Sequence, residues 1–96
     1  MRFDYIIVGA GSAGCVLSNR LSEDKNNKVA VFEAGKPSDI WKVKMPLALL
    51  YTMHDPKYNW KYYSEPEPHL NNRKLFCPRG KMIGGSSAHN GMVFVR

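Results

Sequence analysis

Residues 3 to 8, Phe-Asp-Tyr-Ile-Ile-Val, form an aromatic and β-branched run closed by Gly9. That is the pattern of a strand buried on both faces of a parallel sheet. From Ser12 onward the apolar positions Ala13, Val16, Leu17 and Leu21 recur at three- and four-residue steps, and Ser22 to Asn27 is polar throughout. The spacing predicts a helix over 12–22. Val29-Ala30-Val31-Phe32 restores a short apolar strand, and Glu33-Ala34-Gly35 leads from it into a loop containing Pro37. Strand, helix, strand within about thirty residues is a βαβ unit of an α/β fold, with a right-handed crossover.

The stretch from 36 to 80 is less regular. Leu and Met between Trp41 and Met53 suffice for a short helix after Pro46, whereas Asp55-Pro56 and Glu65-Pro66-Glu67-Pro68 break regular structure beyond it. Asn59-Trp60-Lys61-Tyr62-Tyr63 alternates in part and predicts an edge strand, and Asn71-Asn72-Arg73 predicts a turn before Lys74-Leu75-Phe76. We expect this stretch to be an excursion over the surface. No internal repeat, low-complexity tract or linker divides residues 1–96. Arg96 ends the sequence inside the apolar run Met92-Val93-Phe94-Val95 with no turn or cap after it, so the chain reads as truncated.

Fourteen Lys and Arg against eight Asp and Glu leave a formal charge of +6. The basic residues are dispersed rather than gathered in a stripe interleaved with aromatics, so nucleic acid is not expected as a partner. A diphosphate is a sufficient anionic partner. Cys15 and Cys77 are too few for a disulfide framework and lack metal-site spacing, which favours a reducing compartment. The apolar run at the N-terminus is too short for a signal peptide or a membrane span.

The first constellation that carries chemistry is Gly9-Ala10-Gly11-Ser12-Ala13-Gly14, a G-x-G-x-x-G between the predicted strand and helix. Gly9 allows the tight turn, Gly11 lets backbone approach a pyrophosphate, and Gly14 lets the helix pack closely on the sheet. Ser12 and Ala13 would present N–H groups at the helix N-terminus, where an anion is favoured. Glu33, nineteen positions after Gly14 at the end of the second strand, is placed to accept hydrogen bonds from ribose hydroxyls and would repel a 2′-phosphate. NADP is thereby disfavoured, while NAD and FAD stay open on this constellation alone. The second is Pro78-Arg79-Gly80-Lys81-Met82-Ile83-Gly84-Gly85-Ser86-Ser87-Ala88-His89-Asn90-Gly91-Met92. Its paired glycines and hydroxyls make a second close-approach loop, suited to a cofactor too large for one phosphate turn.

With these residues in place, the chain resembles the glucose-methanol-choline (GMC) oxidoreductase family, most closely its choline dehydrogenase-like members. The likeness runs through Asp4 to Cys15, Glu33-Ala34-Gly35, Asn59-Trp60, Glu65-Pro66, Pro78 to Lys81 and the signature-like stretch from Gly80 to Phe94. It implies a Rossmann-like FAD-binding βαβ unit. Glu33, with Ala34 beside it, would lie on the adenosine ribose; Gly80, Gly84, Gly85, Ser86, Asn90, Gly91, Met92 and Val93 would lie near the pyrophosphate or isoalloxazine. The resemblance also implies oxidation of a small-molecule alcohol with hydride passing to the flavin, which oxygen or a membrane quinone reoxidises. The family's catalytic histidine and its partner belong to a C-terminal region beyond this sequence. The cysteine usage and the short N-terminal apolar run lead us to expect a cytoplasmic location, with peripheral attachment to the inner membrane left open.

His89 stands where most of the family has an aliphatic residue. In relatives with histidine there, the resemblance implies a covalent bond from a ring nitrogen to the flavin's 8-methyl carbon; the other reading is a histidine that packs near the flavin and only hydrogen-bonds. Trp60 stacks on flavin or adenine, or is an ordinary packing residue. Arg79 and Lys81 steer cofactor phosphates, or Arg79 holds its loop through backbone carbonyls. His54 and His69 read as solvated loop residues, and Cys15 as a small core residue. The rival to an enzyme fragment is a freestanding dinucleotide-binding module without catalysis.

Overall fold

A computed structural model describes residues 2–90. Strand β1, Tyr5–Val8, helix α1, Ser12–Leu21, and strand β2, Val29–Phe32, form the βαβ unit. The strands pair in parallel from Tyr5↔Val29 to Val8↔Phe32. Asp4 sets that register, since its N–H donates to the Lys28 carbonyl and its carboxylate accepts the Lys28 N–H, each at 2.9 Å. At the other end Gly9 N–H donates to Phe32 O at 2.7 Å. The Asn27 amide donates to Leu21 O at 3.0 Å, giving a last-turn carbonyl of α1 a partner the helix itself cannot supply.

The expectation of a strand buried on both faces is corrected here. Only Ile7 of β1 is buried; Ile6 and Val8 are 63% and 86% exposed, because a two-stranded sheet backed by one helix cannot cover both its faces.

Beyond β2 the chain forms helix α2, Trp41–Lys44, a 3₁₀ turn at Pro46–Ala48, and helix α3, Leu49–His54. Pro46 opens the turn, where its missing N–H costs nothing. Strands β3, Tyr62–Tyr63, and β4, Phe76–Cys77, then pair antiparallel. Between them lie a 3₁₀ turn at Pro68–Leu70 and a reversal in which Asn71 and Asn72 take φ of 55° and 56°, a conformation asparagine tolerates. A final 3₁₀ segment spans Gly85–His89.

The expected surface excursion is also corrected. Ala48, Thr52, Asn59 and Met82 are each at most 2% exposed, and they make up most of the fully covered interior among the described residues. Two isolated bridges draw them in: Lys36 pairs with Met82 in parallel, and Asn59 with Gly80 antiparallel. His54 is exposed, as expected of a solvated residue, but it lies in a helix rather than a loop. It ends α3, its ring stacks on Phe76 at 5.7 Å, and its Nδ1 donates to Leu50 O at 2.9 Å.

Candidate functional site

The first glycine turn is built by steric necessity. Gly9 has φ of +94°, which a side chain would strain, and a Cβ on Gly14 would lie 1.9 Å from the Gly9 carbonyl oxygen. Only hydrogen at position 14 lets α1 rest on the turn below it. Gly11 differs from both: its φ is −76°, and a Cβ there would meet nothing within 4 Å. Neither backbone nor packing demands glycine at 11, and its absent side chain leaves open space beside the start of α1. Among the described residues no side chain caps α1, and its first turn carries no acidic residue, so its N-terminal N–H groups keep their positive potential. Ser12 and Ala13 occupy that first turn, both exposed.

The second glycine turn docks directly on the first. Gly84 N–H donates to Ala10 O at 2.7 Å, and a Cβ on Gly85 would lie 3.1 Å from Gly11 Cα. Gly84 and Gly85 take φ of +92° and +58°, so the turn reverses within two residues. Two hydroxyls tie the seam: Ser12 Oγ donates to Ser87 Oγ at 3.0 Å, and Ser87 Oγ donates to Gly84 O. Ser86 Oγ accepts Gly80 N–H at 3.0 Å, locking the turn to the strand-like segment before it.

Glu33 closes the arrangement from the β2 side. Its Oε2 accepts Ala10 N–H and its Oε1 accepts Gly35 N–H, both at 2.7 Å. The carboxylate thus clips the glycine turn to the segment after β2 while each oxygen keeps a further lone pair. Gly35 packs so closely that a Cβ would lie 2.1 Å from the Lys81 carbonyl carbon.

These contacts enclose an open cleft of about 350 Å³ lined by Val8, Gly9, Gly11, Phe32, Glu33, Ala34, Trp60, Gly80 and Gly85. Seven residues singled out in the sequence share it: Gly9, Gly11, Glu33, Ala34, Trp60, Gly80 and Gly85. Ser86, His89 and Asn90 border instead a second cavity of about 410 Å³, with Leu49, Met53, Pro78 and Arg79. The loop is therefore a partition, turning Gly80 and Gly85 to one side and Arg79, Ser86 and His89 to the other. Gly14 lies beneath the turn. Gly91, Met92 and Val93 fall outside the described residues.

Among the charged residues, Arg79 Nη1 donates to Pro78 O at 2.7 Å, and the Lys81 ammonium sits 4.5 Å from the centre of the Trp60 ring, which also stacks on Tyr62. Both His89 ring nitrogens are buried without a partner among the described residues, and burial pushes the imidazole below its ordinary value. Cys15 Sγ donates to Ala10 O at 3.2 Å from a half-buried position. Among the described residues no cluster of His, Cys, Asp or Glu could hold a metal ion, and no helix is long and apolar enough to cross a membrane.

Sequence reasoning missed Val8 and Phe32, read as strand interior although they wall the cleft, and Ser87, whose hydroxyl bridges the two turns. It also missed Asn59, though the pair Asn59-Trp60 had drawn notice through its aromatic member.

The matched relatives share this whole stretch. An oxygen-dependent choline dehydrogenase of Sinorhizobium fredii is 57% identical over 96 residues, all of this chain and 18% of that protein. One from Klebsiella pneumoniae is 53% identical over 98 residues, with the same coverage. Among solved structures, pyridoxine 4-oxidase from Mesorbium loti superposes with a TM-score of 0.89 at 36% identity, covering 99% of this chain and 18% of its own. An FAD-dependent oxidoreductase from Chaetomium thermophilum gives 0.77 at 30% identity, covering 99% and 16%. The chain thus spans about one fifth of the length of the relatives it matches. The model of the GMC oxidoreductase family matches residues 3–96, a stretch containing both glycine turns, Glu33 and the segment that joins them, and the chain belongs to that family.

Proposed function

We propose that residues 1–96 are the N-terminal part of the FAD-binding domain of a flavoenzyme that oxidises the CH–OH group of a small alcohol, choline or another primary alcohol. The observation that carries this reading is the meeting of the two glycine turns over one cleft whose far wall is a carboxylate. The residues present fit the cofactor. The uncapped start of α1 and the open space over Gly11 suit a pyrophosphate, and the free lone pairs of Glu33 suit ribose hydroxyls.

FAD, when bound, supplies the hydride acceptor for alcohol oxidation. This chain's part is to bind and orient it. Glu33, Ala34 and Trp60 hold the adenosine half; Gly9, Gly11, Ser12, Ala13, Gly80, Gly84 and Gly85 hold the diphosphate; Ser86, His89 and Asn90 face the flavin half, and Gly91, Met92 and Val93, outside the described residues, are assigned to it by sequence alone. The proton-transferring histidine and the substrate walls come from sequence after Arg96. Oxygen is the electron acceptor, in keeping with the names of the choline dehydrogenases matched over the whole chain.

A second reading concerns attachment. His89 offers two ring nitrogens at a cavity edge that have no partner among the described residues, and burial favours the neutral ring, which suits a covalent bond to FAD. Yellow colour that stays with the acid-denatured polypeptide supports the bond, and complete release of colour eliminates it.

The principal test is on the complete polypeptide. It is expected to hold about one FAD per chain and to consume oxygen with choline or a simple primary alcohol. FAD binding without turnover of any alcohol would favour the freestanding module. Gly11→Ala is expected to weaken FAD binding at least about tenfold while leaving thermal stability nearly unchanged, because the new methyl enters the open space and touches no atom of the described residues. Undiminished FAD affinity in that variant would remove the cleft from consideration.

A further inference from the structure

Asn59 is 2% exposed and sits at the antiparallel bridge to Gly80. Its Oδ1 accepts two backbone N–H groups from distant parts of the chain, Lys61 at 2.7 Å and Arg79 at 3.1 Å. The orientation is forced: turning the amide over would set its NH₂ against both donors. Lys61 is held at φ of +53°, a left-handed conformation uncommon without glycine, and the bond from its N–H to Asn59 is what a side-chain-stabilised turn supplies there. Backbone bonds flank this oxygen on either side, Trp60 N–H to Arg79 O and Lys81 N–H to Tyr58 O, both at 2.9 Å.

The other half of the amide has no such use. Asn59 Nδ2 is buried with no hydrogen-bond partner among the described residues. An unpaired buried donor is unfavourable, and a leucine of similar shape would avoid it. The side chain therefore stands at this place for its oxygen. That oxygen joins the kink after Trp60 to the amide before Gly80, and Trp60 and Gly80 are two walls of the cleft.

We infer that Asn59 is a positioning residue of the cofactor cleft: its buried carbonyl oxygen fixes the Trp60 wall relative to the Gly80 wall, and so sets the width of the slot between them. This rests on the assignment of that cleft to FAD.

The test uses the complete flavoprotein, with FAD release rate and the visible circular dichroism of bound flavin as readouts, alongside thermal melting. Asn59→Leu keeps the shape and removes the acceptor. It is expected to release FAD about ten- to a hundredfold faster and to alter the flavin dichroism. Asn59→Asp keeps the acceptor and exchanges the idle NH₂ for a second carboxyl oxygen. Because burial favours the uncharged carboxyl, the variant is read at pH 5 and pH 8 and is expected to stay within about threefold of wild type, with an unaltered spectrum, at the lower pH. Asn59→Leu protein that melts lower yet holds FAD with unchanged release and dichroism would reduce Asn59 to a stability role and overturn the inference. An Asn59→Asp spectrum that departs from wild type at both pH values would overturn it equally. Where Asn59→Leu does not fold, Asn59→Ser takes its place; its shorter hydroxyl reaches at most one of the two amides, and wild-type release and dichroism there also overturn the inference. Absence of FAD from the wild-type protein would instead sink the cofactor assignment itself.

Discussion

The βαβ unit and the segment that follows it are built on opposite terms. Residues 5–32 obey strand and helix periodicity closely, yet most of their large apolar side chains lie open: Val8, Val16, Leu17 and Phe32 are all more than half exposed. Residues 41–82 are irregular, yet they contain Ala48, Thr52, Asn59 and Met82, which are covered almost completely. Backbone ladders and helical turns organise the first region. In the second, side chains bonded to backbone do so, through Asn59 to Lys61 and Arg79, Ser64 to Leu75, and Thr52 to Leu49. Regular structure and interior burial are thus separable in this chain. The cleft forms where the two regions touch.

The largest effect is expected where the βαβ unit has no room to yield. In Gly14→Ala the new methyl would lie 1.9 Å from the Gly9 carbonyl oxygen, inside any permissible contact, so α1 must withdraw from the turn. Stability is expected to fall by about 3 kcal/mol or more, read as a shift in urea midpoint of the complete polypeptide. A midpoint within error of wild type would mean that the helix is less tightly seated than described.

Met82→Ala addresses the other region. Met82 is 0% exposed and bridges to Lys36, so truncation leaves a cavity and is expected to cost about 2–5 kcal/mol. The contrast is with Val8→Ala at 86% exposure in this chain. If both substitutions cost the same in the complete polypeptide, sequence after Arg96 covers Val8, and the openness of the βαβ unit belongs to residues 1–96 alone.

What could be read beforehand divides along the same line. Strand 29–32 was placed to the residue, helix 12–22 ends one residue early at Leu21, and strand 3–8 narrows to Tyr5–Val8, because these signals are local and Gly9 punctuates them. The burial of Thr52, Asn59 and Met82 was illegible, since it depends on pairings such as Asn59 with Gly80 that no window of sequence contains. The glycines of both turns stood out by density, whereas Ser87 did not, because one hydroxyl among several has no periodicity to betray its partner Ser12. Glu33 was noticed as a carboxylate facing a ribose; its bonds to Ala10 and Gly35 are tertiary and became visible only in three dimensions.

That second duty of Glu33 sets a smaller prediction at the junction of the two regions. Glu33→Gln keeps one acceptor oxygen but points an NH₂ group at the other amide, which is expected to cost about 1–2 kcal/mol of stability even in the flavin-free protein. FAD retention should fall as well. Weakened FAD retention with no loss of flavin-free stability would show that the clip to Ala10 and Gly35 is dispensable and that the carboxylate serves the ligand alone.

The smallest effect is expected at His89, on the cavity side of the partition. Burial depresses its imidazole below the ordinary value of 6.5, so the folded chain resists a proton that the unfolded chain accepts. The unfolded state then binds more protons in the window just below 6.5. Stability therefore declines as pH falls through that window and is fully present above it. The ring is partly open to solvent, which keeps the effect modest. Melting temperatures of flavin-free wild type and His89→Leu, compared at pH 5 and pH 8, isolate it from other titrating groups: the drop on acidification should be smaller in the variant. Equal drops would place the imidazole in free contact with water, and a neutral ring poised at the cavity edge would no longer follow from its burial.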